Sequence, residues 1–193
     1  MLRYALAFTL LLTSLVHADT KLSIMGNLLY NSPDTKDIDD VDGIDEQSGV
    51  GFGIGMRALM GISDQLHFRS GAGIIQKKFS YEVDDSGFKG DFDLSFVYLN
   101  IPLTLYWKAS PQVGFYGGTA LNAKLSDDCD ASGDFDSCTT KNEKAIVFPA
   151  IVGFDFSFTD KVGMELSYEY GLTETAKDLR VHSAIASFLY HLD

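Results

Sequence analysis

The connections between the apolar segments of this chain alternate in length, and that alternation restricts its folding more than any other feature. Segments of roughly ten to fifteen residues with two-residue periodicity are joined by long acidic stretches at about Asn31–Ser48, Asp84–Asp91, Ser126–Glu143 and Leu172–Arg180. Between these lie tight connections at Ser63-Asp64-Gln65, Lys108-Ala109-Ser110-Pro111 and Thr159-Asp160-Lys161. Long and short in strict turn make seven connections, hence eight strands. In an antiparallel up-and-down arrangement successive connections lie at opposite ends. One end of such a barrel therefore carries every large loop and the other only turns.

Each segment has two unlike faces. Val162, Met164, Leu166, Tyr168 and Tyr170 alternate with Gly163, Glu165, Ser167, Glu169 and Gly171. From Gly49 to Ile62 a face of Val50, Phe52, Ile54, Met56, Ala58, Met60 and Ile62 opposes one of Gly49, Gly51, Gly53, Gly55, Arg57 and Gly61, with Leu59 the exception. In a soluble barrel the large apolar face points inward; in a membrane barrel it meets lipid and the small polar face lines the interior. The glycines favour the second arrangement. A water-facing strand gains nothing from successive glycines, because each weakens it, whereas eight converging strands leave little room inside. The apolar stretches are too interrupted for a transmembrane helix, and the other way to satisfy every backbone group in hydrocarbon is a closed barrel. On this register Arg57 and Arg69 face inward with Asp155, Glu165 and Glu169, and charges of both signs are needed there because an unpaired one is costly. Tyr30, Phe79, Tyr81, Phe92, Tyr106, Trp107, Phe158, Tyr168, Tyr170 and Tyr190 lie toward strand ends, where interfacial aromatic girdles are expected. Pro102 and Pro149 interrupt strand-like segments and should mark a bulge or a stretch outside the bilayer.

The first 18 residues read as an export signal. Arg3 precedes an apolar run from Tyr4 to Val16, and Val16-His17-Ala18 offers a cleavage site before Asp19. Residues 19–193 then form one domain: an all-β, eight-stranded antiparallel up-and-down transmembrane barrel. The segment Phe96-Val-Tyr-Leu-Asn-Ile-Pro-Leu-Thr-Leu-Tyr106, followed by Gly114-Phe-Tyr-Gly-Gly118, resembles the recurrent strands of the outer membrane protein beta-barrel domain family. The whole mature chain is similar to small barrels of the OmpA/OmpX type. That resemblance implies a place in the bacterial outer membrane, among its lipids, and motifs that encode architecture rather than chemistry.

Formal charge is −12, which excludes nucleic acid as a partner, since its phosphates need a basic surface. Most of the 27 acidic residues fall in the four long connections, so the charge gathers at one end, where it attracts cations or basic partners. The densest run supplies weak divalent-cation candidates in Asp37, Asp39, Asp40, Asp42, Asp45 and Glu46, but Val41 and Gly43 spoil the register of an EF-hand. Cys129 and Cys138, the two cysteines of an exported chain, are expected to pair as a disulfide. No cofactor is called for. Catalysis by His182 and Ser183 with Glu169 or Glu174 would need neighbours on a strand to share a face, which they do not. His67 lies near a short turn, at the end opposite the long loops, with no obvious serine partner, and His191 is near the C-terminus. An interior just wide enough for side chains excludes a wide pore. The expectation is a monomeric, non-enzymatic outer-membrane barrel with a structural or surface-interaction role and an extracellular protein or surface partner. The alternatives are a soluble periplasmic barrel holding a small apolar ligand, and an outer-membrane lipid hydrolase.

Overall fold

Among the described residues every regular element is a strand, and each is antiparallel to its neighbours. The computed structural model describes residues 20–35, 44–85, 88–133, 138, 143–176 and 178–192. The expected export signal at residues 1–18 lies outside them, as do Asp37, Asp39, Asp40 and Asp42. The strands are β1 (Thr20–Thr35), β2 (Ile44–Gly61), β3 (Leu66–Asp85), β4 (Phe88–Lys108), β5 (Val113–Ala131), β6 (Ile146–Val147), β7 (Pro149–Ser157), β8 (Val162–Gly171) and β9 (Leu179–His191). β6 and β7 both pair with β5, on either side of Phe148, and so form one stave. Pairing of β1 with β9 and of β4 with β5 closes the ring of eight staves. Closure leaves no open edge in the hydrocarbon, the condition for a strand to cross it.

The short turns owe their shape to one hydroxyl each. Ser63 Oγ accepts the Leu66 N–H at 3.1 Å, Ser110 Oγ the Val113 N–H at 3.0 Å, and Thr159 Oγ1 the Val162 N–H at 3.0 Å. A Ser or Thr that bonds the backbone just ahead of it folds the chain back without a long loop.

The outer wall is apolar. Ile24, Phe52, Ile54, Val152 and Phe188 are all strongly exposed on it, Phe188 by 64%. Gly51, Arg57, Gly163, Glu165 and Glu169 are buried on the other face. This sense of the alternation overturns the soluble barrel with an apolar cavity: the large side chains look outward and the polar ones inward.

Three sequence expectations need correction. Parts of the long connections are strand: β3 and β4 run on to pair Asp85 with Phe88, β2 begins at Ile44, and β5 continues to Ala131. Polar residues there mark outward positions above the bilayer, not a loop. At about 3.3 Å per residue β3 spans roughly 65 Å, far more than the roughly 25 Å apolar band even when tilted. Phe79, Tyr81, Phe92 and Tyr106 are not girdle residues. Phe79 and Tyr106 are buried inside, and Tyr81 and Phe92 pack on an interior apolar cluster, because each shares the inward parity of its strand. Pro102 sits in regular register with Ala120, without a bulge. It falls where the β3–β4 ladder lapses between Ser70–Leu103 and Gly73–Asn100, as a residue without an N–H requires. Pro149 opens β7 after the break at Phe148.

A filled lumen beneath an acidic rim

The interior is built in layers. At the turn end is an open vestibule of about 830 Å³, lined by Lys21, Asp64, His67, Lys108, Asp160 and His191 among others. Arg57 and Asp155 line its inner end. Arg57 Nη1 donates to Asp155 Oδ2 at 2.8 Å and to Glu165 Oε1 at 2.7 Å, and Arg69 Nη2 donates to Glu165 Oε2 at 2.6 Å. Tyr106 donates its hydroxyl to Asp155 at 2.7 Å, and the Arg69 guanidinium lies 4.1 Å from the centre of the Tyr116 ring. All four charges are nearly removed from solvent. Each carboxylate oxygen that would be costly to bury alone is met by a cation or a hydroxyl. Glycine makes the space: a Cβ on Gly114 would collide with the Tyr106 hydroxyl, and one on Gly153 with the Tyr116 ring.

Glu169 does not join this cluster. It accepts from Lys77 Nζ at 2.7 Å in a separate layer, next to a bond from Asn100 Nδ2 to Asn122 Oδ1 of 2.6 Å. Lys77 shares the inward parity of Arg69 on β3, but the adjacent Lys78 leaves its face ambiguous in the sequence. Beyond it the lumen turns apolar. Phe79, Phe96 and Tyr98 stack with centroids 5.8 and 6.3 Å apart, joined by Leu29, Leu94 and Val181. From the fourth long connection Thr175 and Ala176 are buried against this end, and Asp178 adopts a φ of 61° in the turn back to Leu179.

Above the bilayer the outward faces of β2 to β5 are polar. Gln47 bonds Glu82 at 2.8 Å, Ser80 bonds Asp93 at 2.6 Å, and Lys89 meets Asp84, which raises the lysine pKa through that bond and the opposite charge. Tyr81, hydrogen-bonded to Thr35 at 2.9 Å, has its phenol pushed up to about 12 by burial. Cys129 and Cys138 form a disulfide with Cα atoms 5.6 Å apart at the end of β5. Of the cation candidates, Asp45 and Glu46 lie on β2, and Glu46 already accepts the Thr35 N–H at 3.0 Å. Among the described residues no group of three or more His, Cys, Asp or Glu side chains is placed to hold a metal ion.

His182 and Ser183 point to opposite faces. His182 stacks on Tyr170 at 4.5 Å on the outer wall and contacts Asp34 at 3.2 Å, while Ser183 donates to Asn31 inside at 2.8 Å. Glu169 is held by Lys77 inside. His67 lies edge-on to Tyr106, and His191 is 2.8 Å from Ser23 Oγ.

The family described as "Outer membrane protein beta-barrel domain" matches residues 4–191. No curated protein matches the chain. Among solved structures it is similar to Ail, the attachment invasion locus protein of Yersinia pestis, in complex with the heparin analogue sucrose octasulfate. Identity there is 15%, with 90% of this chain and 99% of that one covered and a TM-score of 0.50. It is likewise similar to Neisserial surface protein A, at 15% identity over 88% of this chain and 96% of the other, with a TM-score of 0.52. At such identities the likeness shows the fold.

Proposed function

The chain belongs to the outer membrane protein beta-barrel domain family and resides in the bacterial outer membrane, and from that premise we propose a non-enzymatic surface role: presenting an acidic, sheet-stiffened rim to a basic partner. The observation that carries this is the extension of β2 to β5 beyond the apolar wall, with Asp45, Glu82, Asp84, Asp91 and Asp93 on exposed positions. Strand pairing holds these carboxylates in a fixed array, whereas a loose loop would spread them. The filled lumen beneath it offers no wide passage for nutrients, so the exposed crown is the part available for function. Opposite faces for His182 and Ser183 argue against the lipid hydrolase.

Ail is solved with a sulfated heparin analogue. A net charge of −12 disfavours such a polyanion here, because like charges repel at the approach distances that steer binding. The test uses cells displaying the full chain on surfaces coated with polylysine or heparin. Retention on polylysine should exceed that on heparin, fall with added salt, and drop at least several-fold with Glu82→Gln, Asp91→Asn and Asp93→Asn combined. Equal retention of that variant, or preference for heparin, would overturn the proposal.

A further inference from the structure

We infer that the vestibule at the turn end is a binding site for a short free peptide, held with its carboxylate inward and its ammonium at the mouth. The short turns of an outer-membrane barrel face the periplasm, so this cavity of about 830 Å³ opens there, at the end opposite the acidic rim. Small-molecule sites run from about 300 to 1,000 Å³ and combine apolar walls with a few converging polar groups. Leu59, Ile62, Pro111 and Phe158 supply apolar wall here. Arg57, at the inner end, lies four residues up β2 from Gly61, where the strand meets the turn. At about 3.3 Å per residue and a tilt near 40°, the depth is roughly 10 Å. An extended tripeptide at about 3.4 Å per residue has that span.

The charges available to a ligand are sorted by sign. Lys21 stands on β1 opposite Leu59, and Lys108 ends β4, whereas Asp64 and Asp160 lie in the first and third turns. All four line the cavity, and none of their side chains has an ion pair or hydrogen bond among the described residues. Two buried atoms on the same wall also lack partners. Arg57 spends its Nη atoms on Asp155, Glu165 and Ser23, but its Nε–H is buried and finds no acceptor among the described residues. His67 Nδ1 is likewise buried and unpartnered. A buried donor left unpaired is costly, and Asp155 is already taken by Arg57 and Tyr106. A ligand carboxylate entering past the two lysines brings the missing acceptor. A simple anion would be repelled by the aspartates at the mouth, and a simple cation by the lysines. A peptide with both ends free answers both signs.

The histidines provide the readout. The full chain is refolded in micelles and titrated with trialanine at constant pH, with heat-shifted migration in detergent gels reporting a folded barrel. Ring signals of His67, His191 and His182 are assigned by their loss in His67→Gln, His191→Gln and His182→Gln. His67 and His191 line the vestibule, while His182 lies on the outer wall. The first two signals should move saturably and the third stay fixed. N-acetyl-trialanine and trialanine amide should each bind several-fold more weakly. Asp64→Asn with Asp160→Asn should weaken trialanine by a like factor and leave the N-acetyl peptide as it was. Lys21→Gln with Lys108→Gln should do the same for trialanine and leave the amide as it was, which assigns each peptide end to its own charges. These side chains lie outside the buried ion-paired network, so the barrel should fold in both variants. Absence of a saturable shift at His67 and His191 overturns the inference. So do an equal shift at His182 and capped peptides that bind as tightly as trialanine.

Discussion

Replacing Glu165 by Gln changes one charge at the point where the interior network converges. The side chain is 1% exposed and takes three guanidinium bonds, from Arg57 at 2.7 Å and from Arg69 at 2.6 and 3.2 Å. Gln keeps the volume and one acceptor oxygen, so little packing is lost. What changes is the balance: two buried guanidiniums are left with Asp155 as their only carboxylate in the cluster. Removing one partner of a buried pair costs about 3–5 kcal/mol, or roughly two to three and a half powers of ten in the folding equilibrium. The assay is reversible urea unfolding in lipid vesicles, followed by the emission of Trp107. It is the single tryptophan, half-exposed on the outer wall and stacked on Phe115 at 6.1 Å, so it passes from lipid to water on unfolding. A companion variant, Arg69→Met with Glu165→Leu, leaves Arg57 paired with Asp155 and should recover most of the loss, since a balanced apolar replacement is often neutral. A loss below about 1 kcal/mol for Glu165→Gln is the figure for solvated surface pairs, and it would refute a sealed network.

The same titration reads the outer apolar layer. Phe96→Ala deletes a fully buried ring stacked between Phe79 and Tyr98 and should cost about 3–5 kcal/mol; a cost under about 1 kcal/mol would place that ring in solvent. Tyr81 gives a pH signature outside the bilayer. Its phenol holds its proton to about 12 instead of the ordinary 10. The stability it contributes is complete below pH 10 and is lost as pH climbs through about 12. Phenolate absorbance of wild type minus Tyr81→Phe should therefore rise near pH 12, and a difference already present at pH 10 would count against the burial.

Much of the wall was legible because lipid and lumen impose opposite demands on alternate residues. Gly51, Gly53, Gly55 and Arg57 carried that contrast, and so did Glu165 and Glu169. Two parts were hidden. Above the bilayer both sheet faces can be polar enough to imitate a loop, so Ser126-Asp127-Asp128-Cys129-Asp130 reads as a connection although β5 continues through it. Inside, the polarity of the inward face changes along one strand. Lys77 and Phe79 are two residues apart on β3, one in an ion pair and the other in an aromatic stack. A single rule of small and polar inside cannot show where that change occurs. The partner of each charge was hidden too, since partners lie about 90 to 110 residues away in sequence and only the ring closure brings them together.

That separation has a consequence for how the barrel comes to exist. The buried cations of the described barrel, Arg57, Arg69 and Lys77, all sit on β2 and β3; the buried acids, Asp155, Glu165 and Glu169, all sit on β7 and β8. Each half of the chain thus carries an uncompensated charge of one sign on the surface it must bury. Neither half is a stable insertion unit by itself, and two copies of the same half repel. The first half made must wait, with its arginines still in water, until the second is synthesised and the two enter the membrane together.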